Sequence, residues 1–220
     1  MPVDLRVYAI VDPERSGGHE IADLARQLAA GGATLLQLRD KLSDTGVMVE
    51  RARAIKAALP QHIPLLINDR VDVALAAEAD GVHVGQTDMA AADVRRLLGP
   101  NAIVGLSIKS IEQARAAPTE LLTYVAIGGV FATTSKDNPD PPIGLAGLER
   151  IAATFRDRAA KLPVCAIAGI DAGNAAEVIA AGADGVSVIS TLSLAEDPTA
   201  ATRTLRHIVD AALEKRRYTL

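Results

Sequence analysis

Short apolar, β-rich runs recur along the chain, each followed by a stretch whose apolar residues return every three or four positions. The runs are RVYAIV (6–11), TLLQLR (34–39), PLLIN (64–68), GVHV (81–84), AIVGLS (102–107), TYVAIG (123–128), PVCAIA (163–168) and GVSVIS (185–190). Most are continuously apolar, the pattern of strands covered on both faces. Between them lie stretches such as EIADLARQLAAGG, VMVERARAIKAALP, MAAADVRRLLGP and AAEVIAAGADG, rich in Ala, Leu, Arg and Glu, which predict amphipathic helices. Gly31 and Gly32, Gly99 and Gly182 stand where helices should stop, because glycine accepts the left-handed conformation that closes a helix. Eight strand–helix units in 220 residues leave about 27 residues per unit. The expectation is an α/β protein, a single (β/α)8 TIM barrel over 1–220. A doubly wound open sheet would carry a Gly-rich dinucleotide turn after its first strand, and VDPERSGG is not that pattern.

Polar residues cluster where the expected strands end. The second strand runs into Gln37, Arg39 and Lys41, the third into Asn68 and Asp69, the fourth into His83 and Asp88, the fifth into Ser107. The sixth leads into Thr133, Thr134, Ser135 and Lys136. In a barrel all would meet at the C-terminal mouth, where active-site loops gather. Gln37, Arg39 and Lys41 alternate, so an extended strand would aim them to one side. A glutamine beside two cations suits an anionic ligand with a polar ring, since Arg matches phosphate bidentately and Lys acts as a point charge. Asp69 and Asp88 suit magnesium, which takes one or two carboxylates and completes its shell with phosphate oxygens. His83, between Val82 and Val84, is expected to orient neighbours within the site. A second anion signal lies at Gly169, Ile189 and Ser190, after strands seven and eight, where backbone amides of many barrels hold phosphate. The irregular stretch ATTSKDNPDPPIG (132–144), with three prolines, is expected to be a lid over this mouth.

Composition narrows the partners. The net charge is −4, and there are three Tyr, two Phe and no Trp. Neither a phosphate-backbone binder nor a base-stacking platform fits those values, so no nucleic acid is expected. No apolar run reaches the ~18 residues of a membrane span. The beginning, MPVDLRVYAI, lacks a basic-then-apolar signal, so the cytoplasm is the expected compartment. Cys165 stands alone in an apolar run and reads as a core residue. The oligomeric state is left open, a homo-oligomer included.

Taken together, QLRDK (37–41), INDRVDVALAAEADGVHVGQTD (67–88), GLS (105–107), GGVFATTSK (128–136), PVCAIAGI (163–170) and GADGVSVIS (182–190) resemble the thiamine-phosphate synthase family. The resemblance spans nearly the whole chain. It implies a magnesium-dependent transferase of thiamine biosynthesis that joins a pyrimidine diphosphate to a thiazole phosphate, both small molecules, releasing pyrophosphate. On it, Arg39, Lys41, Asn68 and Lys136 would hold the pyrophosphate, and Asp69 and Asp88 the metal. Gln37 and Ser107 would contact the pyrimidine or leaving group; Thr133, Ser135, Gly169, Ile189 and Ser190 the thiazole phosphate. Arg39, Lys41, Ser107 and Lys136 would be the catalytic set. The family usually has Pro at positions 129 and 132, Thr at 135 and Gly at 168, where this chain has Gly129, Ala132, Ser135 and Ala168. Two other readings are a thiazole tautomerase-like isomerase, whose branch carries a histidine where Gly129 stands, and a non-catalytic binder of phosphorylated ligands.

Overall fold

The computed structural model describes residues 3–135 and 140–218. Eight parallel strands close into a barrel in chain order, β1 (Val7–Val11), β2 (Leu35–Leu38), β3 (Leu65–Asn68), β4 (Gly81–Val84), β5 (Ile103–Ile108), β6 (Tyr124–Ile127), β7 (Val164–Ile167) and β8 (Gly185–Val188). β8 returns to β1 with Tyr8 opposite Ser187, which seals the ring. The outer layer is α1 (Ile21–Gly31), α2 (Thr45–Ala58), α3 (Val71–Ala76), α4 (Ala91–Leu98), α5 (Ile111–Ala116), α6 (Gly144–Arg158), α7 (Ala175–Ala180), the short α8 (Ser190–Ser193) and the terminal α9 (Pro198–Arg217). Each of the eight expected strands is a strand of the barrel, and the (β/α)8 expectation holds.

Two apolar layers follow from the strands' double-sided burial. Between strands and helices lies a continuous core that includes Val7, Leu24, Leu28, Leu36, Ile55, Val104, Phe155 and Leu205. Inside the barrel a smaller cluster joins Leu5, Tyr8, Ile10, Leu35, Leu66, Tyr124, Ala126, Cys165 and Ile189. Cys165 is fully buried there, as a core residue should be.

The N-terminal rim repeats one device four times. Thr34, Asp80, Thr123 and Asp184 each precede an even-numbered strand and accept a backbone N–H from the odd-numbered strand before it. The donors are Val7 (3.1 Å), Leu65 (2.8 Å), Val104 (3.1 Å) and Val164 (2.9 Å). Each bond satisfies an amide left over at a strand's beginning and fixes the register of its pair. Asp184 also binds Arg156 and Arg216, both at 2.7 Å, tying α6 and α9 to that end.

Candidate active site

The C-terminal rim opens into two adjoining cavities. One is lined by Tyr8, Gln37, Ser135, Gly169, Ser187 and Ile189 among others. The second is lined by Lys41, Asp69, Gly85, Gln86 and Asp88. Arg39, Asn68, His83, Ser107 and Lys109 belong to both and form the ridge between them. Residues from all eight strands or the loops that follow them are thus brought to one mouth.

In the second cavity the charges are paired in an order the sequence does not show. β2 ends at Leu38, so Arg39 and Lys41 reach the mouth from the loop beyond it and not by strand alternation. Arg39 forms an ion pair with Asp12, at the end of β1, with only 18% and 3% of the two side chains exposed. Lys41, half exposed, pairs with Asp69. Asp40 turns away from the mouth to accept the Ser43 N–H at 3.0 Å and pair with Arg51. Asp69 adopts a left-handed backbone (φ 60°), a conformation aspartate tolerates better than most residues. Its N–H is held by the His83 carbonyl at 2.9 Å.

Asp88 Oδ2 accepts the Gly85 N–H at 2.7 Å. Partial burial, and then the Asp69 carboxylate beside it, push the Asp88 carboxyl above its ordinary range despite that amide. The Asp69 carboxylate makes it costly for Asp88 to ionise unless a cation lies between them. Among the described residues no group of three or more His, Cys, Asp or Glu could hold a metal ion. A divalent cation here would therefore have two protein carboxylates at most and take its other ligands from water or substrate. That is the donor set magnesium favours, so the residues fit the ion.

Away from the shared ridge, the first cavity offers backbone and hydroxyls in place of charge. Gly169 (φ 65°) follows β7, and a Cβ there would lie 2.4 Å from the Ala132 carbonyl oxygen and 2.7 Å from the Phe131 side chain. Only glycine lets the two loops meet this closely. The Ser135 and Ser190 hydroxyls lie 2.6 Å apart, so loop six and the beginning of α8 converge. Thr133 Oγ1 accepts the Ser135 N–H at 3.1 Å. Ala168 has φ 96°, a strained value for a residue with a side chain. Every expected residue of the second anion site, Thr133, Ser135, Gly169, Ile189 and Ser190, lies in this region. Lys136 lies outside the described residues, as does part of the expected lid.

Sequence reasoning missed Tyr8, Asp12, Tyr124 and Lys109. Asp12 is 2% exposed and anchors Arg39. Lys109 Nζ, on the shared ridge, reaches Asp140 at 3.3 Å. The two tyrosines link Gln37 to His83. Gln37 donates to the Tyr8 hydroxyl, Tyr124 donates to the same oxygen at 2.9 Å, and Tyr124 meets His83 Nδ1 at 2.8 Å. His83 Nε2 meets Ser107 Oγ at 2.9 Å. Gly105 makes this possible. It lies between His83 and Tyr124 in register, and a Cβ there would fall 2.2 Å from the tyrosine ring. The expectation that His83 orients its neighbours agrees with these bonds. An Asp before β1's loop and a Tyr inside a strand look like core or turn residues, and only barrel closure brings them to the mouth.

Fold and mouth are those of a (β/α)8 barrel with a charged cavity beside one lined, away from the ridge, by backbone and hydroxyl groups. A family model described as thiamine monophosphate synthase matches residues 7–192. Thiamine-phosphate synthase of Agrobacterium fabrum is 47% identical over 215 residues, covering 97% of this chain and 98% of that protein. The Roseiflexus sp. thiamine-phosphate synthase is 46% identical over 211 residues, 96% of this chain and 87% of that one. The solved thiamine phosphate pyrophosphorylase from Pyrococcus furiosus superposes with a TM-score of 0.83 at 37% identity, covering 96% of this chain and 98% of that chain. The chain belongs to the thiamine monophosphate synthase family, and its activity is that family's transferase activity in thiamine biosynthesis. The isomerase and non-catalytic readings are not favoured. Among the described residues no helix is long and apolar enough to cross a membrane.

Proposed function

We propose that the two cavities divide one transfer between them. The charged cavity takes the diphosphate group of 4-amino-5-hydroxymethyl-2-methylpyrimidine diphosphate, whose ring reaches across the ridge to Gln37, and the loops of the other cavity take the thiazole phosphate. The thiazole nitrogen then attacks the pyrimidine methylene as pyrophosphate leaves, giving thiamine phosphate. The observation that carries this reading is the ridge of Arg39, Asn68, His83, Ser107 and Lys109, common to both cavities, where two ligands would meet.

Arg39, fixed by Asp12, and Lys41 bind the diphosphate and stabilise the charge that grows as it departs. Asn68 and Lys136 complete that grip. Gln37 and Ser107 orient the pyrimidine. Thr133, Ser135, Ser190, Ile189 and the backbone around Gly169 hold the thiazole phosphate so that its nitrogen faces the reacting carbon. Asp69 and Asp88 would hold a magnesium ion, which when bound neutralises diphosphate charge. No protein nucleophile is required, and catalysis rests on positioning and charge stabilisation. The test is pyrophosphate release from the pyrimidine diphosphate with magnesium present. Release should require the thiazole phosphate and produce thiamine phosphate in equal amount. Release independent of the thiazole phosphate, or none with both substrates, contradicts the proposal.

A further inference from the structure

We infer that the buried relay Gln37–Tyr8–Tyr124–His83–Ser107 sets which heterocycle the enzyme accepts, by offering an acceptor at Ser107 and donors at Tyr8 and Ser187. This rests on the reading that an aminopyrimidine diphosphate occupies the mouth.

The polarity of the relay follows from its bonds. The Tyr8 oxygen accepts from both Gln37 and Tyr124. Both its lone pairs are engaged, and its own O–H has no acceptor among the described residues. Tyr124 has one hydrogen, which goes to Tyr8, so its oxygen accepts from His83 Nδ1. A neutral imidazole that donates from Nδ1 accepts at Nε2, so Ser107 donates inward and leaves its lone pairs facing the cavity. A second observation is independent of the relay. The Ser187 hydroxyl, on a residue 2% exposed and opposite Tyr8 in register, has no hydrogen-bond partner among the described residues and lines the same cavity. Buried polar groups without partners are costly, so a ligand that meets them gains selectively over one that does not.

A 4-aminopyrimidine offers an N–H donor next to a ring-nitrogen acceptor, which complements Ser107 on one side and Tyr8 with Ser187 on the other. Its 4-oxo counterpart reverses both, placing a carbonyl where a donor is needed and a ring N–H where an acceptor is needed. Tyr124 does not line either cavity among the described residues. It is a positioning residue, and its effect must travel through Tyr8 and His83.

Calorimetric binding of the two diphosphates and of inorganic pyrophosphate to the full chain, with magnesium, tests this. The wild type should prefer the 4-amino compound by at least about 100-fold, because a site built around hydrogen bonds rejects a ligand of opposite polarity strongly. Tyr124→Phe should shrink that preference about tenfold while pyrophosphate affinity stays within about twofold. Ser187→Ala removes only an unpartnered hydroxyl and carries the test if Tyr124→Phe does not fold. It should weaken the aminopyrimidine diphosphate about fivefold and leave pyrophosphate unchanged. A folded Tyr124→Phe protein with the wild-type preference, or Ser187→Ala with wild-type affinities, overturns the inference. A wild type that makes thiamine phosphate yet binds both diphosphates equally overturns it alone; one that makes none overturns the reading beneath it.

Discussion

The two rims of this barrel use the same residue types to opposite ends. At the N-terminal rim, Asp80 and Asp184 each accept a strand amide, and Asp184 pairs with two arginines. Their charges are consumed within the fold. At the C-terminal rim, Asp69 and Asp88 press against each other, Asp69 and Ala168 hold left-handed backbone, and the buried Ser187 hydroxyl has no hydrogen-bond partner among the described residues. One rim is satisfied by the protein and the other waits for ligands. Stability and function should therefore separate by rim, since strain and unmet polar groups persist only where the surrounding structure holds them in place.

The largest expected effect is at the carboxylate pair. Asp69→Asn or Asp88→Asn should lower turnover by about 10²–10³-fold, as losing one preorganised electrostatic group does. Metal-free stability should not fall with it. Asp88 is pushed upward in the folded state, so the folded chain binds that proton more tightly than the unfolded chain. Stability is therefore lost as pH rises from the ordinary carboxyl range through the raised value, and the penalty persists above it. Asp88→Asn removes it. Thermal melts at neutral pH should show the variant at least as stable as the metal-free wild type. Magnesium should raise the wild-type melting temperature and leave the variant's unchanged. A variant that melts well below the wild type would place Asp88 among the structural carboxylates.

Next is Gly169→Ala. The backbone is left-handed there, and the added carbon would collide with the Ala132 carbonyl. The cost should be about 1–3 kcal/mol in chemical denaturation. The Michaelis constant for the thiazole phosphate should rise more than that for the pyrimidine diphosphate. Equal changes in both would erase the distinction between the cavities.

Asp184→Ala makes the opposite rim's case. Losing an amide acceptor and two arginine partners should cost about 2 kcal/mol in urea unfolding, with turnover per folded molecule unchanged. A drop in turnover would mean that the rims are coupled.

The smallest effect is a gain. Ala168→Gly relieves φ 96°. That relief exceeds the added unfolded-state entropy, so the variant should be about 1 kcal/mol more stable. No gain in chemical denaturation would show that the alanine is accommodated without strain.

The sequence made the barrel and most of the mouth legible for different reasons. Continuous apolar runs bounded by polar strand ends placed all eight strands within two residues at each end, because double-sided burial leaves a clear pattern. Gln37, Asn68, Asp69, Asp88 and Ser107 were visible because polar residues at the ends of parallel strands have few structural reasons to be there. The pairing was not visible. Asp12 reads as a turn residue, yet it, and not Asp69 or Asp88, binds Arg39. Tyr8 and Tyr124 read as core because they lie 116 residues apart, and only closure of the barrel joins their hydroxyls. The sequences EADGVHV and GADGVSV, taken as marks of the site, contribute His83 and Ser187 to the mouth. Their aspartates, Asp80 and Asp184, belong to the opposite rim.

The central claim is two anion cradles meeting at one ridge, the first shared with a divalent ion. A crystal of this protein grown with manganese, inorganic pyrophosphate and the thiazole phosphate tests it most directly. The account predicts an anomalous peak between Asp69 and Asp88, pyrophosphate against Arg39 and Lys41, and the thiazole phosphate at Gly169 and Ser190 with Ser107 between the two anions. Both anions in one cavity, or manganese bound away from the two carboxylates, would contradict it.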